Sequence, residues 1–117
     1  MQRQKARTTL TLNNLIMYSD LLEEISKAIG ARLLIRFSYN HEEHVVEPHL
    51  VGQDMQKQDC LCAWRKSKIA ADSAKECWRC YHLSEIKDLE VLEQRFSSKR
   101  PGYDPYDSTM SRIYYRV

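Results

Sequence analysis

Residues 59–83 read DCLCAWRKSKIAADSAKECWRCYHL, and this stretch holds all four cysteines of the chain, Cys60, Cys62, Cys77 and Cys80. The pattern is C-x-C, a polar gap, then C-x-x-C. Three readings compete: a zinc clip, a disulfide framework, or two β-strands that carry thiols. Zinc takes its ligands at the corners of a tetrahedron, usually from tight turns. The pair inside the C-x-x-C is Trp78-Arg79, a poor turn and a good strand. In a strand, Cys60 and Cys62 point the same way with Cα atoms roughly 7 Å apart. Cys77 and Cys80 then point to opposite faces, so the sulfurs do not converge without a bulge. Cysteine otherwise packs as a small buried hydrophobe. Leu61 and Ala63 on one face, with Cys60, Cys62 and Trp64 on the other, describe a strand apolar on both sides. Such a strand belongs between a barrel interior and a covering helix or tail. Two strands, over 59–64 and 77–83, are the expectation.

The rest of the chain fits one domain. Its 117 residues suffice for a single core. Hydrophobic residues at 43% and charged residues at 29% are a globular mixture, and three Gly with three Pro leave no low-complexity segment. A net charge of +2 is too even for binding nucleic acid by bulk charge, so any basic site must be a local patch. No apolar run is long enough to cross a bilayer, and no membrane association is expected. The start, MQRQKARTTLTL, lacks the apolar core of a signal peptide. A cytoplasmic location with reduced thiols is therefore expected, which disfavours the disulfide framework.

Upstream, Asp20 followed by Glu23 approximates a capping box. Leu21, Leu22, Ile25, Ala28 and Ile29 then repeat at helical spacing, and Gly30 is expected as the left-handed residue after the helix. TLTLNNLIMY before it reads as a short strand or further helix. RLLIRFSY (32–39) reads as a strand, NHEE as a turn, and HVVEPHLVG (44–52) as a second strand with Pro48 at an edge or bulge. Ser84 and Glu85 form a turn, and 89–96 returns as a strand or short helix. The tail, ending IYYRV, is too apolar for water and docks on this domain or on a second copy. A mainly β fold with an N-terminal helix follows, as a small curled antiparallel sheet or barrel.

Candidate binding groups are cationic and aromatic. Arg79 offers a fork suited to phosphate, or to a surface carboxylate. Arg65 and Lys66 end the third strand and, with Arg36, form a basic patch or a solvated hairpin end. His44 and His49 can meet phosphate or bases. Trp64, Trp78 and Tyr81 can stack bases, or fill a core. No nucleophile elbow, P-loop or HExxH sequence occurs, and an enzyme is not expected.

Four segments in order resemble the WYL domain family. ISKAIGARLLIRFSYN (25–40) is similar to its opening helix and strand. HVVEPHLVG resembles its next strand, in His44, Val45, Val46 and Pro48. DCLCAW falls at the name-giving tripeptide, of which Leu61 remains. CWRCYHLSEI (77–86) matches an aromatic-Arg run in Trp78, Arg79, Tyr81, Leu83 and Ile86, with Glu85 at the second family arginine. The resemblance covers residues 22–96 and implies an Sm-like or SH3-like barrel over 20–96, after an extension (1–19) and before a docking tail (97–117). It implies a bacterial or phage regulatory module that senses a nucleotide or single-stranded nucleic acid and modulates a partner protein. Arg79, His44, Arg65, Arg36, Lys66 and Tyr81 are the site residues under this reading. No helix-turn-helix segment is seen, so a self-contained regulator of that kind is not expected. The alternatives are an adaptor that forms homo-oligomers through its tail, and a zinc-stabilised module on the four cysteines; no cofactor is expected under the leading reading.

Overall fold

The computed structural model describes residues 10–67 and 76–117. One helix, α1 (Leu10–Ala31), precedes six strands: β1 (Leu33–Tyr39), β2 (Glu42–Asp54), β3 (Asp59–Arg65), β4 (Cys77–His82), β5 (Lys87–Arg95) and β6 (Met110–Arg116). A single 3-10 turn, Leu83–Glu85, links β4 to β5.

The helix begins before the Asp20–Glu23 signal, so these two residues sit inside it. No Gly or Pro interrupts the chain from Leu10 to Ile29, and nothing there stops a helix. It also ends later than Gly30. Arg32 takes the left-handed position, with φ 59°, and its N–H donates to the Ile29 carbonyl at 3.2 Å. Arg95 Nη1 caps the Ala31 carbonyl at 2.9 Å, placing a cation at the negative end of the helix.

All strand pairs are antiparallel, in the path β4-β3-β2-β1-β5, with β6 paired to β2. Asn40 and His41 both have positive φ, 53° and 63°, which is what the two-residue β1–β2 hairpin requires. β2 is long enough for two neighbours on one edge: β1 along 42–46 and β6 along 50–54. Its other edge carries β3, and there Pro48 pairs with Ala63 but Leu50 with Cys62. His49 is thus the extra residue of a bulge, which lets a central strand tolerate Pro48. The end strands β4 and β5 share no ladder among the described residues, so the sheet is curled without the closed barrel expected from the sequence.

β3 is apolar on both faces for two separate reasons. Leu61 and Ala63 join the cluster of Ile25, Ala28, Ile29, Phe37, Val46 and Val51 under the helix. Cys60 and Cys62 join Leu50 and Met110 beneath the tail, with Tyr103 and Ile113 against them. The tail thus docks as β6 on its own sheet. Gly52 permits this approach, because a Cβ there would lie 2.3 Å from the Arg112 carbonyl oxygen. No described helix is long and apolar enough to cross a membrane.

Candidate functional site

At the open edge of β4, the tip of the β1–β2 hairpin faces residues 78–81 and leaves a hollow of about 320 Å³. Tyr39, Asn40, Glu42, His44, Arg65, Trp78, Arg79, Cys80 and Tyr81 line it. Four of the six site residues expected under the family resemblance are therefore together here, Arg79, His44, Arg65 and Tyr81, along with the stacking candidate Trp78. The fold brings them together because β2 spans the hairpin and also pairs with β3, whose other neighbour is β4.

The floor is aromatic and closed. Tyr81 is buried, and the edge-to-face rings of Phe37 and Tyr39 stand 4.9 Å from it. Its hydroxyl lies 2.9 Å from His44 Nδ1. Burial pushes the Tyr81 phenol up to about 12, so it stays protonated and the pair is a neutral hydrogen bond whose direction follows the His44 tautomer. His44 is buried too, stacked on Phe37 at 5.9 Å, with Nε2 3.6 Å from Glu42. Tyr81 is therefore a wall and a positioning group, with its ring faces already in use, rather than an open stacking platform.

The rim is charged. Glu42 also reaches Arg65 Nη2 at 3.6 Å, and so ties that cation to the His44 floor. Arg79 is exposed and has no carboxylate partner among the described residues. Arg65 and Arg79 against Glu42 leave the hollow with one excess positive charge.

The other two cations sit apart from the hollow. Arg36 bonds Glu90 across β5 and pairs with Glu43 at 3.3 Å, and the Glu90 hydrogen bond raises its pKa. Lys66 lies 3.4 Å from Glu76 and 3.8 Å from Glu47. Both are committed to ion pairs. His49 lies fully buried in the bulge, its Nδ1 2.8 Å from the Glu47 carbonyl. Trp64 and Trp78 pack edge to face at 5.6 Å, and Trp78 Nε1 donates to the Pro101 carbonyl of the tail at 2.7 Å.

The cysteines do not gather as a set of four. Cys77 opposes Arg65 in the ladder, and Cys80 directly opposes Cys62, with the two Sγ atoms 3.1 Å apart. Cys80 is exposed while Cys60 and Cys62 are buried. The hydrogen bond between the two thiols raises the Cys62 pKa and lowers that of Cys80.

Tyr39, Asn40 and Glu42 were not among the sequence candidates. The signal for them was the two-residue turn, which fixes the side chains flanking it, but their approach to β4 depends on a second strand pairing. Arg100 was also missed, being 53 residues away from its partner Glu47.

No protein-family model matches the chain, and no curated protein matches it. Among solved structures, the chain is similar to proteasome accessory factor B/C (PafBC) of Arthrobacter aurescens, with a TM-score of 0.56 and 18% identity. The match covers 73% of this chain but only 13% of that one. What the two share is a fold: a mainly antiparallel sheet with one helix against it.

Proposed function

We propose that this chain is a non-enzymatic, WYL-like regulatory module that binds a nucleotide or a short single-stranded nucleic acid in the hollow beside β4 and so modulates a partner protein. The observation that carries this is Arg79: an exposed guanidinium without a described carboxylate partner, at the edge of a hollow walled by Tyr39, Trp78 and Tyr81. A planar fork beside aromatic walls suits a phosphate with an attached base. Arg65, steadied by Glu42, supplies a second cation, and the Tyr81–His44 pair keeps the floor rigid. Arg36 and Lys66 contribute only long-range potential, since carboxylates already partner both. The fold likeness to part of a proteasome accessory factor is in keeping with a module that serves a larger machine.

The test is fluorescence anisotropy with labelled oligonucleotides and cyclic nucleotides across salt concentrations. Binding at low salt should weaken with added salt. Arg79→Ala should weaken it further and lower the salt slope by about 0.7, the value for one phosphate contact on a single strand. Absence of binding at low salt, or an unchanged slope in the variant, rejects the reading.

A second reading, an oligomerising adaptor, is favoured by the tail's exposed Tyr106 and Tyr115, at 77% and 45%. Gel filtration of the wild type and a Tyr106→Ser/Tyr115→Ser variant separates the two, since only an adaptor built on these rings loses assembly.

A further inference from the structure

Outside the hollow, the β2–β3 turn and the end of β4 place three different metal-ligand types around one point. Cys60 Sγ lies 3.5 Å from Asp54 Oδ2 and 3.5 Å from His82 Nδ1. All three ligand atoms lie within 4.8 Å of one another. We propose that Asp54, Cys60 and His82 form a binding site for a zinc-class divalent cation.

The two sulfur distances are those such an ion demands. With bonds of roughly 2.3 Å to sulfur, 2.0 Å to imidazole nitrogen and 2.1 Å to carboxylate oxygen, tetrahedral geometry sets sulfur about 3.5 Å from each of the other two ligands. Both sulfur distances found here match that spacing, and the carboxylate oxygen and imidazole nitrogen lie within 4.8 Å of each other. The set also has the chemistry for it, since thiolate, imidazole and carboxylate together suit zinc better than a hard cation such as magnesium.

Each ligand is already held. Asp54 Oδ1 accepts the N–H groups of Gln56 and Gln58, both at 2.9 Å, which fixes the carboxylate and leaves Oδ2 turned toward Cys60. Cys60 is buried and opposes His82 directly in the β3–β4 ladder. The His82 backbone N–H donates to the Tyr39 hydroxyl at 3.0 Å, which fixes that end of β4. Three protein ligands leave a fourth position for water or an incoming donor, the arrangement of an exchangeable site rather than a closed structural one.

This site is not the four-cysteine clip that the sequence offers. Cys77 lies five residue pairs away from the Cys60–His82 rung, beyond reach of the same ion. The pattern is instead one of period two: Cys60 and Cys62 on β3 face His82 and Cys80 on β4.

The test is a titration of the full-length, reduced and chelator-treated protein with Co²⁺ alone. A sulfur-to-cobalt charge-transfer band should appear, saturate at one ion per chain and vanish when Zn²⁺ is added. Asp54→Asn and His82→Ala should each weaken binding by about tenfold or more, and Cys77→Ser should titrate as the wild type. His82 is only partly buried, so its variant tests the site even where Cys60→Ala fails to fold. The proposal is overturned by absence of the band, by full affinity in His82→Ala and Asp54→Asn, or by a band that disappears only in Cys62→Ala/Cys80→Ala.

Discussion

Glu47 and Arg100 form a two-pronged ion pair, Nε to Oε1 at 2.7 Å and Nη2 to Oε2 at 2.8 Å. Glu47 is 3% exposed, on the strand that organises the sheet, whereas Arg100 is on the tail. The guanidinium also covers the Trp64 ring at 5.3 Å. The pair is therefore a clasp: it fastens the chain after β5 to the middle of β2, and β6 follows from there.

Removing either partner should be costly, but unequally. Arg100→Ala leaves a buried carboxylate with Lys66, at 3.8 Å, as its remaining cation among the described residues. Glu47→Gln leaves a guanidinium that can turn to water. Buried pairs broken on one side lose about 3–5 kcal/mol, and the partial exposure of Arg100 reduces this to roughly 2–4 kcal/mol. Urea unfolding should show Arg100→Ala as the less stable variant; the reverse order would mean that the buried carboxylate is not the costly partner.

His49, one residue beyond Pro48, gives the clasp a pH dependence. Burial lowers its pKa below the ordinary 6.5, against smaller opposing effects from Glu47. Arg100 and Arg32 also disfavour the charged ring, and Trp78, Phe96 and Tyr103 pack around it. The folded ring thus stays neutral at pH values where the unfolded chain has begun to bind a proton. Its contribution to stability is full above about pH 6.5 and declines as the pH falls through that value. Melting temperature measured from pH 8 to pH 5 should fall more steeply for the wild type than for His49→Gln. Parallel curves would show that the ring is accessible to protons in the fold.

Gly52 and Gly30 both meet the tail strand, and their alanine variants should behave oppositely. At Gly52 the added methyl would meet backbone, 2.3 Å from the Arg112 oxygen and 3.1 Å from the Ile113 Cα, so β6 must move. A loss of about 1–3 kcal/mol is expected, with earlier proteolytic cleavage after residue 97. At Gly30 the methyl would meet the Tyr115 hydroxyl at 2.9 Å, the end of a half-exposed side chain that can swing away. Ala then gains about 0.5–1 kcal/mol from its helix preference. Thermal denaturation of the two variants checks both signs.

What the sequence reveals follows the range of the interaction. β3 was legible because alternation alone shows Leu61 and Ala63 on one side and Cys60 and Cys62 on the other. Pro48 pointed to an edge or a bulge, the two places a paired strand tolerates proline, and the β3 pairing decides for the bulge. The helix start was not legible: Asp20 and Glu23 satisfy a capping pattern, yet Leu10–Ser19 carries no residue that stops a helix, and the cap signal is overridden. Nor was sheet closure, which depends on how far β4 and β5 curl toward each other. In the hollow, Arg79, Arg65, His44 and Tyr81 could be named singly, but their convergence needs three strand pairings at once. Cys80 and His82 are spaced to match Cys60 and Cys62, and counting only cysteines hides that match.

The thiols report on whether the tail covers its face of the sheet. Cys60 and Cys62 lie under Met110, Tyr103 and Ile113, whereas Cys80 is exposed on the outer strand and Cys77 is partly exposed. With limiting iodoacetamide and metal-free reduced protein, peptide mapping should find the adduct first on Cys80, then on Cys77. Cys60 and Cys62 should react only with denaturant present. Gly52→Ala provides the decisive comparison, because displacing β6 uncovers the inner pair without unfolding the helix-facing core. In that variant Cys60 and Cys62 should become reactive under native conditions. If they react early in the wild type, the tail does not shield them, and the second of the two cores is not a core in solution.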